Sequence, residues 1–286
     1  MSLTATPVKL GTFGVWVRHT DITGAFAAEI ERLGYGTLWI GGSPADDLVT
    51  AETALAATSH LAVATGIVNI WSTDADRLAQ SYHRLDTAYP GRFLLGIGAG
   101  HREVNGNGAV KPYQGLVNYL DTLDENAVPA ERRVLAALGP RVLALAADRT
   151  AGAHPYLVTP DHTRSARDTL GDGPLLAPEH KIAVGTDRDH TLTLGRKGLK
   201  TYLNLRMKNY LNNFRRLGFT DSDFGDGGSE ALIDALVAQG TPQTIATQLR
   251  EHLDAGADHV AIQPLARTAD LLPTLTQLAP ALDFPR

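Results

Sequence analysis

The segment Gly98-Ala99-Gly100-His101-Arg102-Glu103 gathers two glycines, an imidazole, a guanidinium and a carboxylate in one short run. Its glycine spacing suggests a dinucleotide fingerprint, but the third glycine is missing. No early βαβ unit supplies a ribose-binding acid either, so a Rossmann reading is rejected. His101 stands on its own, because an imidazole that titrates near neutrality can orient a ring or move a proton. His154 and His162 are lesser candidates for the same work. A second reactive stretch is Leu138-Gly139-Pro140-Arg141. Proline at the first turn begins a helix whose free N–H groups and positive dipole end attract an anion. Arg141 sits badly against that dipole unless an anion is close; the other reading is a plain helix start with a solvated arginine.

Other chemistries are excluded. The chain has no cysteine, which removes thiol catalysis, disulfides, Cys-ligated zinc and iron–sulfur clusters. No HExxH, calcium loop, P-loop or serine elbow occurs. His19, His60 and His83 lack paired metal-ligand spacing, and Asp46-Asp47 and Asp254 with Asp258 read as caps or surface acids. Without a nucleophile or a carboxylate dyad, the inventory suits chemistry performed by a bound cofactor that the protein orients.

The elements that must position these groups alternate between short apolar runs and helix-period stretches. Strands are predicted at Lys9–Val17, Thr37–Ile40, Leu61–Ile70, Arg92–Ile97, Arg133–Leu138, His154–Val158, Lys181–Val184 and His259–Gln263. Helices are predicted at Asp21–Leu33, Leu48–Ser59, Ala75–Ala88, Pro112–Leu123, Pro140–Arg149, His162–Leu170, Thr191–Leu217, Ser229–Gln239, Thr241–Ala255 and Thr268–Leu282. Eight strands with helical crossovers favour an α/β fold, a (β/α)8 TIM barrel, with extra helices between strands 7 and 8. The Asp/Gly-rich stretch Asp221–Gly228 is the candidate mobile loop.

In such a barrel the active site lies at the C-terminal ends of the strands. Glycine dominates those ends: Gly41 and Gly42 before Ser43, Gly66, Gly98 and Gly100. They would let backbone approach a large flat or phosphorylated ligand, or they simply make βα turns. Trp16, Trp71 and Tyr156 either line the pocket or pack in the core.

Length and charge bound the rest. At 286 residues, 43% of them apolar, the chain fits one barrel domain spanning residues 1–286. With 26 basic against 31 acidic residues the net charge is −5, which argues against a nucleic-acid surface. The N-terminus lacks a secretory pattern, and no run approaches the roughly 18 apolar residues of a membrane span. The expectation is a cytoplasmic protein with a small-molecule substrate and no membrane partner.

Several segments together resemble the luciferase-like monooxygenase superfamily, in particular its branch of oxidoreductases using the deazaflavin coenzyme F420. They are GYGTLWIGG (34–42), ATGIVNIW (64–71), YPGRFLLGIGAGH (89–101), RRVLAALGPRVLALAADRTAGAHPYLVTPDH (132–162) and GTPQTIATQLREHLDAGADHVAIQPL (240–265). The resemblance implies a barrel with a flavin or deazaflavin at its C-terminal mouth. It implies a non-prolyl cis peptide at Gly66-Ile67 backing the ring, with Asn69 just beyond, and Gly41, Gly42 and Gly100 around it. The cofactor phosphate would fall on Leu138, Gly139 and Pro140, followed by Gly152 and Ala153.

The sequence also departs from that pattern. Where many relatives carry an acid–His pair after the second strand, this chain reads Gly42-Ser43, and where some place a Glu after the fourth it carries His101. His101 becomes the candidate proton donor or acceptor, with Ser43 and Asn69 as hydrogen-bonding partners. The implied activity is hydride transfer between F420 and a small organic substrate. The alternatives are an FMN-dependent monooxygenase and a catalytically silent cofactor-binding barrel. A homodimer follows from family habit, and the short chain suggests a pocket left open or completed by a neighbouring subunit.

Overall fold

Strand and helix alternate along the chain from its first sheet residue, and the computed structural model describes residues 7–100 and 111–284. The strands are β1 (Phe13–Arg18), β2 (Thr37–Gly41), β3 (Ala62–Gly66), β4 (Val68–Asn69), β5 (Phe93–Gly98), β6 (Arg133–Leu135), β7 (Gly152–Ala153), β8 (Leu175–Leu176), β9 (Glu179–Val184), β10 (Val237–Gly240) and β11 (Val260–Pro264). The helices are α1 (Gly24–Arg32), α2 (Val49–Ala56), α3 (Ala75–Ala88), α4 (Pro112–Glu125), α5 (Pro140–Arg149), α6 (Pro160–Leu170), α7 (Arg188–Asn204), α8 (Lys208–Arg216), α9 (Glu230–Leu236), α10 (Pro242–Asp254) and α11 (Leu271–Leu282). His101 lies outside the described residues.

All strand pairs are parallel, in the order β10-β9-β11-β1-β2-β3-β5-β6-β7-β8, with β4 against β5. The ring closes because β8 and β9 belong to one stretch of chain. Leu175 N and Ala177 N donate to Ala151 O and Ala153 O at 2.7 and 2.9 Å, while Asp258 N and Ala261 N donate to Leu176 O and Pro178 O at 2.9 Å. Eight positions result, as a barrel requires. β10 is an additional strand, paired with the C-terminal half of β9 from Val237↔Lys181 to Gly240↔Val184.

Helix starts are written locally. Proline occupies the first turn of α4, α5, α6 and α10, where its missing N–H costs nothing. Thr23, Asp74, Thr159, Ser229 and Thr241 cap their helices through side-chain oxygens. Inside the ring, the small residues Ala62, Ala64, Ala177 and Ala261 leave room for Trp39 and Trp16. The fully buried Trp39 stacks on His154 with ring centroids 4.0 Å apart, and its Nε1 donates to His259 Nε2 at 3.0 Å.

Four predicted elements differ. The third strand breaks at Gly66-Ile67, a cis peptide, and resumes as β4. The predicted strand His154–Val158 is not one. The sheet ends at Ala153, since Pro155 has no N–H to give and Leu157 takes a positive φ of 57°. The predicted helix Thr191–Leu217 is two, α7 and α8, divided where Arg206 adopts a φ of 45°. The end of the predicted helix Ser229–Gln239 is the buried strand β10. Asp221–Gly228 holds a capped turn, with Thr220 and Asp223 bonding reciprocally and Ser229 Oγ donating to Asp223 Oδ1 at 2.8 Å.

Candidate active site at the barrel mouth

The strands deliver their C-terminal ends to one cavity of about 580 Å³. Its wall takes Trp16 and Arg18 from β1, Gly42 and Ser43 after β2, Gly66 at the end of β3 with Ile67 after it, and Gly100 after β5. Leu138 and Gly139 come from the start of α5, His154 and Tyr156 follow β7, and Gln263 comes from β11. The far wall is Tyr202 of α7 with Tyr210 and Arg216 of α8. The inserted helices therefore contribute one wall of the mouth cavity.

The predicted residues divide accordingly. Gly42, Ser43, Gly66, Ile67, Gly100, Leu138 and Gly139 line the cavity; Gly41, Asn69, Pro140, Gly152 and Ala153 do not. Asn69 Oδ1 accepts from Trp71 N at 3.1 Å within its own turn. Trp16 and Tyr156 line the cavity, whereas Trp71 donates from Nε1 to Ala99 O at 2.9 Å and is half-exposed.

Protein atoms, rather than open space, account for two of the glycines. A Cβ on Gly41 would overlap the Trp16 ring, and one on Gly66 would lie 2.7 Å from Trp16 Nε1, which donates to Gly66 O at 3.0 Å. Gly139 is the contrast. No described residue lies within 4 Å of where its Cβ would stand. It is the N-cap of α5, which starts without a side-chain cap. Leu138 is fixed beneath it, because His162 Nε2 donates to Leu138 O at 2.9 Å. Arg141 lies 3.7 Å over the Tyr113 ring at the cavity edge.

Under Tyr156 lies a charged cluster that the sequence reading missed. Lys181 and Glu179, 1% and 0% exposed, pair at 2.9 Å. Lys181 Nζ also donates to Tyr156 Oη and to Gln263 Oε1, both at 2.8 Å. Tyr156 donates to Gln263 Oε1 at 2.7 Å and lies 2.9 Å from Tyr202 Oη. The second Glu179 oxygen accepts from Leu157 N at 2.9 Å, which secures the turn after β7. Burial holds the Tyr156 hydroxyl well above its ordinary pKa, so it remains a neutral donor. The available signal was two charges at i and i+2 in an apolar run, which share one face of a strand. Tyr202, Tyr210 and Arg216 had no such signal, because their helices are brought to the mouth by tertiary packing.

His154 is neutral. Burial lowers its pKa to about 4, and Nδ1 donates to Ala177 O at 2.6 Å. Nε2 is then a buried acceptor without a partner among the described residues, beside Gly66 at the cavity floor. Among the described residues lining the cavity there are two arginines, Arg18 and Arg216, and no carboxylate. The site thus favours an anionic ligand with flat apolar surface. The described residues contain no cluster of three or more His, Cys, Asp or Glu that could hold a metal. No described helix is long and apolar enough to cross a membrane.

Residues 14–132 match the model of the family described as luciferase-like monooxygenase. An F420-dependent secondary alcohol dehydrogenase in complex with an F420–acetone adduct is 14% identical with a TM-score of 0.72, covering 96% of this chain and 99% of that one. The coenzyme F420-dependent tetrahydromethanopterin reductase from Methanopyrus kandleri is 16% identical at a TM-score of 0.70, covering 96% and 100%. The oxygenating constituent of 3,6-diketocamphane monooxygenase from Pseudomonas putida, in complex with FMN, is 16% identical at 0.64, covering 96% and 100%. At these identities the likeness is one of fold. No curated protein matches by sequence.

Proposed function

We propose that this chain is a luciferase-like oxidoreductase that passes a hydride between the deazaflavin coenzyme F420 and a small organic substrate. The observation that carries the reading is the mouth cavity. Its volume of about 580 Å³ suits a cofactor with a substrate beside it, and it combines apolar walls with arginines and an open helix start. The residues present fit such a group. The open Cβ direction at Gly139 leaves the α5 backbone accessible, and the unpartnered His154 Nε2 offers an acceptor at the floor.

In this reading Leu138, Gly139 and Pro140 hold the phosphate at the helix start, where Arg141 adds charge. Gly66 and Ile67 back the ring, and Gly42, Ser43 and Gly100 border it. When bound, the deazaflavin supplies two-electron hydride chemistry. The chain's own contribution is orientation and proton transfer. His101, which follows the cavity-lining Gly100 in sequence, is assigned as proton donor or acceptor, and Ser43 as its hydrogen-bonding partner on the substrate.

Parallel titration with F420 and FMN tests the proposal. F420 is expected to bind at micromolar or tighter affinity and FMN more weakly. Preference for FMN would favour the monooxygenase reading, which the likeness to an FMN-bound monooxygenase makes the second choice. Binding of neither would refute the cofactor assignment.

A further inference from the structure

Gln263 stands where two cavities meet. With Trp16 and Arg18 it lines both the mouth cavity and a second cavity of about 270 Å³ that reaches Lys197 on α7. The orientation of its amide follows from the chemistry of its neighbours. The Lys181 ammonium only donates, and it lies 2.8 Å from one side-chain atom of Gln263, so that atom is the carbonyl oxygen. Tyr156 donates to the same oxygen at 2.7 Å. The amide nitrogen therefore points away from the cluster, and no group among the described residues accepts from it.

Arg18 complements it. The side chain is exposed and makes no ion pair or hydrogen bond with the described residues. Lys197 is likewise unpaired. Of the neighbouring carboxylates, Asp21 accepts through Oδ1 from Thr268 Oγ1 at 2.8 Å, and Glu179 is neutralised behind Gln263 by Lys181. Arg267 is paired with Asp270 at 2.7 Å. What remains at the junction is an oriented neutral donor and a free guanidinium; the one carboxylate among the described residues lining either cavity is Asp21.

We propose that this junction is a carboxylate subsite. Gln263 Nε2 and the Arg18 guanidinium donate to the two oxygens of a small organic acid, and its carbon chain runs past Trp16 into the mouth cavity. A planar guanidinium suits this role because it meets a carboxylate along two parallel N–H directions. Calling that acid the substrate rests on the redox reading above; its binding does not.

The test is calorimetry on the full chain without cofactor, using 4-phenylbutanoate and its neutral isostere 4-phenylbutanamide. The acid is expected to bind at least tenfold more tightly than the amide. Gln263→Glu keeps an oxygen for Lys181 and Tyr156 but replaces the outward NH2 with a second oxygen. Arg18→Gln removes charge from an exposed side chain whose loss leaves the fold intact, so it carries the test if the first variant unfolds. Each is expected to weaken the acid at least tenfold. Equal binding of acid and amide, or acid affinity unchanged in Arg18→Gln, would overturn the subsite. Acid binding with no F420 binding would uphold the subsite and refute only the cofactor reading.

Discussion

Lowering the pH from 7 towards 5 should strongly destabilise this protein, through histidines rather than carboxylates. His154, His180 and His259 are buried, and burial lowers each pKa from 6.5 to about 4. Burial also lowers His162, and lowers His252 further, the latter with help from the adjacent His180. Their neighbours demand the neutral form. His259 Nε2 accepts from Trp39 and Nδ1 donates to Gly11 O at 2.7 Å, while His252 Nε2 meets His180 Nδ1 at 2.9 Å. In the unfolded chain these rings take up protons below about pH 6.5, whereas the folded protein refuses them until about pH 4. Their contribution is thus complete above 6.5, falls as pH drops through that window, and changes no further below the folded values. At pH 5.5 each of the first three favours the unfolded state by roughly 0.9 proton, so together they remove roughly 3.5 kcal/mol per pH unit. Over the whole window the loss approaches about 10 kcal/mol, the size of a typical domain's entire stability. The carboxylates with lowered pKa, Glu29, Glu31, Asp124 and Asp223, give up their contribution only below their ordinary values of 4.5 for Glu and 3.8 for Asp, outside this range. Urea melts at closely spaced pH values measure the slope directly. An uptake near three protons or more on unfolding at pH 5.5 is expected, falling by about one in His180→Gln. A urea midpoint that stays flat from pH 7 to 5 would refute the reasoning.

Lys181→Met should cost about 3–5 kcal/mol in urea melts by stranding Glu179, and the double change with Glu179→Leu should recover part of that loss. Gly41→Ala should cost about 1–3 kcal/mol and shift the tryptophan emission, because its methyl meets the Trp16 ring. His101→Ala should lower turnover at least tenfold with F420 affinity nearly unchanged; equal loss of both would remove its role in proton transfer.

The barrel was legible because its signals are local and repeated. A strand buried on both faces reads as a short apolar run, and its helix announces itself with Thr-Pro or Gly-Pro, as at Thr159-Pro160, Thr241-Pro242 and Gly139-Pro140. The misses are tertiary in origin. Val237–Gly240 has the apolar content of a helix end and becomes a strand because β9 offers it an open edge where β7 has turned away. That turn depends in part on Glu179, which lies 22 residues along the chain from the Leu157 amide it holds.

The site was legible in its backbone and opaque in its polar side chains, for the same reason. Helix starts and strand ends are set by neighbours in sequence, so the α5 N-terminus at Gly139 could be placed from Gly-Pro alone. The Lys181 cluster draws Tyr156 from after β7, Gln263 from β11 and Tyr202 from α7, and no spacing in the chain marks that meeting. Nor does glycine mark ligand contact by itself: Gly41 makes way for Trp16, while Gly139 has no described neighbour within 4 Å of its Cβ direction. The distinction has a consequence for the floor of the cavity. Two neutral groups beside it, His154 Nε2 and the Gln263 amide, are each fixed in sense by their partners, Ala177 O for one and Lys181 with Tyr156 for the other. One can only accept and the other only donate until the ring is protonated, so a ligand spanning both must present a donor at one end and an acceptor at the other.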